Sequence, residues 1–131
     1  MSEHTSLFQL FRAHSSGIFI FSLAALAVLV LWIARAKLSF DDPSELKQLV
    51  TSGAQLIDVR SPGEYARGHI EGAINIPVGE LTQRLSQLGD PQEPVVVYCR
   101  SGVRSSRAQS TLRAHGFMQV YNLGGINEWP E

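Results

Sequence analysis

With 131 residues, 44% of them hydrophobic, the chain is long enough for one domain with a modest core. A net charge of −1 excludes the broadly basic surface of a nucleic-acid binder, so no nucleic-acid partner is expected. A single cysteine, Cys99, excludes both an internal disulfide and an internal resolving thiol.

After an N-terminal segment over residues 1–16, residues 17–34 read GIFIFSLAALAVLVLWIA, without a charge. Eighteen helical residues span about 27 Å, close to the ~30 Å hydrocarbon core of a bilayer. Trp32 lies near one end, and Arg35 and Lys37 follow at once, as suits a membrane interface. One transmembrane helix over 17–34, a linker over 35–41 and a domain over 42–131 are therefore expected. Two other readings compete. A soluble core helix fits poorly, because apolar residues cover every face. A cleaved signal peptide finds a small-x-small site at Ala34-Arg35-Ala36, but the apolar stretch is longer than usual and only Arg12 precedes it. The same charges orient a single pass with the domain in the cytoplasm, where a lone thiol stays reduced; cleavage would instead make the domain periplasmic or secreted.

Asp42-Pro43 opens a helix with Leu46, Leu49 and Val50 on its apolar face and Gly53 at its end. QLIDV (Gln55–Val59) reads as a short buried strand. Ser61 caps a short helix from Pro62 to Ala66, and Ala73–Ile76 is extended up to Pro77. Leucines at 81, 85 and 88 form a helical stripe over Glu80–Leu88. Val95–Tyr98, apolar throughout, suits a strand covered on both faces. A helix is expected over Ser105–His115, with Ala108, Thr111 and Leu112 inward and Gly116 as terminator. Gln119–Leu123 is a last strand, and Gly124-Gly125 turns into a short helix carrying Trp129. Strands alternating with helices predict an α/β fold: an open parallel sheet flanked by helices.

The stretch VVVYCRSGVRSS (Val95–Ser106) carries the chemistry. Cys99 falls between a strand end and a helix N-terminus, where free N–H groups and the helix dipole favour a thiolate. Gly102 lets the loop curl into an anion-binding nest. No acid occurs between Glu93 and Glu128, whereas Arg100, Arg104, Arg107 and Arg113 all fall there. An anionic ligand is expected at this basic island, with a solvated helix face as the plainer reading. A core thiol walled off from solvent, with its neighbouring amides turned away, would exclude a nucleophile. Cysteine-dependent phosphatases space Cys and Arg by five residues. Here four separate Cys99 from Arg104, a loop that fits a phosphate ester poorly and a single added sulfur better.

The sequence resembles a single-domain rhodanese, a thiosulfate sulfurtransferase-like family, over residues 38–131. The resemblance rests on DVR (Asp58–Arg60), EYARGHIEGAINIP (Glu64–Pro77), CRSGVRS (Cys99–Ser105) and GGINEW (Gly124–Trp129), in the family's order. It implies a five-stranded parallel sheet and a catalytic Cys99 that carries a persulfide. Arg100, Ser101, Gly102, Val103, Arg104 and Ser105 would form the substrate-binding cradle. The implied partners are a small anionic sulfur donor, such as thiosulfate, and a thiol or protein acceptor, or cyanide in the test tube. Arg104 would neutralise the donor and leaving anion, and Asp58 and Arg60 would support the loop or a neighbouring arginine. Glu64 is read as a structural partner and His69 as fixing the turn beside Gly68. No metal or cofactor is implied. The alternatives are a non-enzymatic binding module on the same fold, which an absent cysteine would favour, and an arsenate reductase or phosphatase.

Overall fold

The structure, a computed structural model, describes residues 23–32 and 40–131. The chain divides into two units, Met1–Lys37 and Leu38–Glu131. In the first, a helix covers residues 23–32 (α1). Among the described residues no helix is long and apolar enough to cross a membrane. The remainder of the expected 17–34 span, with the 1–16 segment and most of the 35–41 linker, lies outside the described residues. Leu23, Val28, Leu31 and Trp32 of α1 are all exposed.

The second unit is an α/β layer structure. Helix α2 (Pro43–Thr51) starts as its sequence dictates: the Asp42 carboxylate accepts from the amides of Ser44 and Glu45, and Pro43 takes the first position. Strand β1 (Gln55–Asp58) leads to α3 (Pro62–Ala66), where Ser61 and Glu64 form a reciprocal capping box. Strand β2 is only Ile74–Asn75. Strand β3 (Val95–Cys99) is buried along its whole length, and α4 (Val103–Ala114) and β4 (Val120–Gly125) follow. The sheet is parallel throughout, in the order β2-β1-β3-β4. Continuous apolar strands of this kind need cover on both faces. One face packs Ile57, Val95 and Val97 with Leu112 and Phe117, and the other packs Leu56, Val96 and Tyr98 with Leu46 and Leu123.

Four expectations are corrected. Among the described residues the sheet has four strands rather than the implied five. Beside β4, the Asp41 amide donates to the Asn122 carbonyl at 2.9 Å. The leucine stripe at 81, 85 and 88 belongs to two 3-10 turns, Val78–Gln83 and Leu85–Leu88, rather than one α-helix. Arg84, at φ −121°, interrupts them, while Leu81 and Leu88 still reach the core. Helix α4 begins at Val103, two residues before the expected Ser105, which draws its first turn into the cysteine loop. Finally, Ile126–Glu128 is a 3-10 turn, and Trp129 follows it to pack beside Leu46 and Ile70.

Candidate active site

Cys99 is the last residue of β3, at the carboxyl edge of the sheet, where open parallel sheets place their ligands. Gly102 caps α4 with φ 98°, a left-handed conformation that suits glycine, and no side chain caps that helix. The cysteine sulfur lies at this helix start. The Gly102 amide donates to Sγ at 3.0 Å, and the Ser105 hydroxyl lies 3.6 Å away. Burial pushes the Cys99 thiol up, but hydrogen bonds from the Ser105 hydroxyl and from the amides of Ser105, Ser101 and Gly102 outweigh it and hold the thiol below its ordinary range.

Cys99 has no accessible surface in this structure. The condition set by the sequence is thus half met: the sulfur is covered, yet its neighbouring amides point at it. Cys99 packs in the core cluster that holds Ala108 and Leu112, with the Gly102 amide on its sulfur. The Ser105 hydroxyl also lies 3.0 Å from the Gly102 carbonyl and 3.4 Å from the Gly124 carbonyl.

The flanking charges are arranged differently from the simplest expectation. Arg104 does not stand free on the rim. It forms a forked ion pair with Glu64, Nη1 to Oε1 at 2.6 Å and Nη2 to Oε2 at 3.0 Å. The guanidinium, aided by Ser61, holds the Glu64 carboxyl down at about 2. Asp58 is fully buried beside β3, in register with Tyr98. Its carboxylate accepts from Arg60 Nε at 3.0 Å and Nη2 at 2.7 Å, and Arg60 Nη2 also donates to the Gly68 carbonyl. Asp58 and Arg60 therefore brace the turn at Gly68 rather than touch the sulfur. His69 stacks on Tyr65 and its Nδ1 lies 2.9 Å from the Tyr65 carbonyl, a turn-fixing place. Arg100 and Ser101 are exposed, and so is Val103. A 340 Å³ pocket, lined among others by Arg60, Glu64, Arg67 and Arg100, opens next to the loop residue that follows Cys99.

Residues 42–131 match the Rhodanese-like domain family. The chain belongs to that family. The uncharacterized protein YqhL of Bacillus subtilis is 51% identical over 58% of this chain and 60% of its own length. The thiosulfate sulfurtransferase PspE of Escherichia coli is 40% identical over 55% of this chain and 70% of its own. The human single-domain sulfurtransferase TSTD1 superposes with a TM-score of 0.61 at 34% identity, covering 69% of this chain and 93% of that structure. With its rhodanese domain intact and such relatives, the chain is a sulfurtransferase.

Within this rhodanese domain, sequence reasoning brought Cys99, Arg100, Ser101, Gly102, Val103, Arg104 and Ser105 to one loop, and the structure keeps them together. It missed Arg67, which lines the pocket beside Arg100, and it missed Phe40, whose ring lies against Gly102 and Gly124. The glycine pair at 124–125, at the strand end facing the cysteine loop, was the available signal for a close approach there.

Proposed function

We propose that the chain is a membrane-anchored sulfurtransferase that moves sulfane sulfur from thiosulfate or a similar anionic donor to a thiol or protein acceptor through a persulfide on Cys99. The observation that carries this reading is the convergence of loop amides and the Ser105 hydroxyl on one sulfur at a strand end. The loop parts to admit the donor. The Cys99 thiolate attacks the outer sulfur of thiosulfate, a new S–S bond forms, and the old S–S bond breaks with its electron pair leaving on sulfite. An acceptor thiolate then attacks the outer persulfide sulfur, and Cys99 departs as the thiolate it began as. The amides of Ser101, Gly102 and Ser105 stabilise the anion in each resting state. Arg100 and Arg104 hold the donor and the leaving anion, with Arg104 shared between that task and Glu64. Asp58 and Arg60 support the site by fixing the neighbouring turn. No cofactor takes part. That PspE and TSTD1 are named sulfurtransferases supports the class of reaction.

Anchoring rests on the uncharged stretch at 17–34 and on the exposed apolar side chains of α1, which call for lipid. The domain over 42–131 then faces the cytoplasm. In a direct test, intact protein is incubated with thiosulfate and weighed by mass spectrometry. Wild type gains one sulfur atom and Cys99→Ser gains none; a wild type that gains no sulfur from any of several donors leaves the binding-module reading in its place. Resistance of the full chain to alkaline extraction from membranes checks the anchor, and release into the wash would refute it.

A further inference from the structure

Phe40 enters the domain just before α2, outside the family-matched residues 42–131. It is 42% exposed, so it is not a core residue in the ordinary sense. Its ring nonetheless occupies the space that side chains at two glycines would fill. A Cβ on Gly102 would collide with the ring's Cζ, and one on Gly124 would lie 3.0 Å from its Cγ. The tip of the ring therefore rests on the turn that closes over Cys99, and its base rests on the strand end opposite.

The ring is anchored through its neighbour Asp41. Asp41 binds β4 twice through one residue: its amide donates to the Asn122 carbonyl at 2.9 Å, and its carboxylate accepts from the Asn122 amide at 2.7 Å. Asn122, itself fully buried, accepts from the Gly124 amide at 2.9 Å and donates to the Ser106 hydroxyl at 3.0 Å. The β3–β4 register slips between Val97 and Tyr98, which brings Tyr98 opposite Gly124 and leaves the glycine free to meet the ring. One chain of contacts thus runs from Asp41 through Asn122 and Gly124 to Phe40 and Gly102, whose amide points at the cysteine sulfur. The three atoms nearest to a Cβ built on either glycine all belong to this ring.

We infer that Phe40 is a positioning residue for the catalytic loop: its ring backs Gly102 and keeps that residue's amide on the Cys99 sulfur. The role presumes the sulfurtransferase reading only in its consequence for turnover; its effect on the thiol stands alone. The test uses the full chain in detergent micelles and follows alkylation of Cys99 by iodoacetamide, by mass, as a function of pH, beside thermal unfolding. In Phe40→Ala the turn loses its backing, and the midpoint of the alkylation profile rises by about one pH unit, so that alkylation below it slows ~tenfold. Sulfur uptake from thiosulfate falls in kcat more than it changes KM. Phe40→Leu keeps apolar bulk and shifts the midpoint in the same direction by less.

A purely structural residue would lower the unfolding temperature and leave the alkylation midpoint where it was, and that result, in folded Phe40→Ala, overturns the inference. Should Phe40→Ala not fold, Phe40→Leu decides: an upward midpoint supports the role and an unmoved one refutes it. A chain that accepts sulfur from no donor but shows the shifted midpoint would retire the transferase reading and keep this one.

Discussion

Substituting Glu64 by Gln isolates the charge that restrains Arg104. The amide oxygen can still accept from Ser61, so the helix cap survives while the ion pair is lost. The Glu64 carboxyl sits at about 2 against an ordinary 4.5, first because Arg104 binds it. At 1.36 kcal/mol per pH unit that corresponds to at most ~3 kcal/mol. The side chain of Arg104 is 35% exposed and that of Glu64 19%, so solvent screens the pair, and about 1 kcal/mol is the expected loss at neutral pH. For a domain of this size that is ~4–8 °C in Tm. Because the folded value lies below the unfolded one, the stabilisation is full above pH 4.5 and drains away as pH falls towards 2. Urea unfolding of wild type and Glu64→Gln at pH 7 and at pH 2.5 measures it: the gap should be wide at the first and nearly closed at the second. A gap that is the same at both would refute the assignment of the stabilisation to this carboxylate. The same substitution frees a cation beside the cysteine loop, so KM for thiosulfate should fall while KM for an uncharged persulfide donor holds. Equal changes for both donors would show that Arg104 does not read charge.

Ser105→Ala removes the hydroxyl that favours the thiolate, so the pH midpoint of Cys99 alkylation should rise, while the Gly102 carbonyl keeps its bond from the Ser106 amide and the loss of stability stays within ~1 kcal/mol. An unchanged midpoint would leave the amides alone responsible. Asp58→Asn breaks a buried pair and strands the Arg60 guanidinium against Gly68, at a cost of about 3–5 kcal/mol measurable by denaturant unfolding. Wild-type stability in Asp58→Asn would mean that Arg60 finds a replacement. Gly102→Ala forces a Cβ into the Phe40 ring at φ 98° and should abolish sulfur uptake; retained uptake would show that the turn can be rebuilt with the ring displaced.

Much of the site was legible because its information is local. VVVY followed by Cys99 and Gly102 encodes a buried strand, a sharp turn and a helix start within a dozen residues, and the anion-binding properties follow from that succession. Asp42, Ser61 and Pro43 likewise announce their caps in place. The leucine spacing at 81, 85 and 88 misled because 3-10 turns broken at one residue can deliver the same side chains inward that an α-helix would. What could not be read was long-range pairing. Glu64 meets Arg104 across 40 residues, and nothing in either neighbourhood names the other. Phe40 sits in a stretch whose composition marks it as a linker, and only the folded sheet shows that its ring abuts two glycines far along the chain.

Cys99 ends a strand whose five residues are all buried and bound into the sheet. Such a sulfur has no swinging arm. Donor and acceptor must come to the same fixed atom through the same opening, and they cannot stand there together. Steady-state plots against the two co-substrates should then be parallel lines, each visitor leaving before the next arrives, with each raising the apparent KM of the other when in excess.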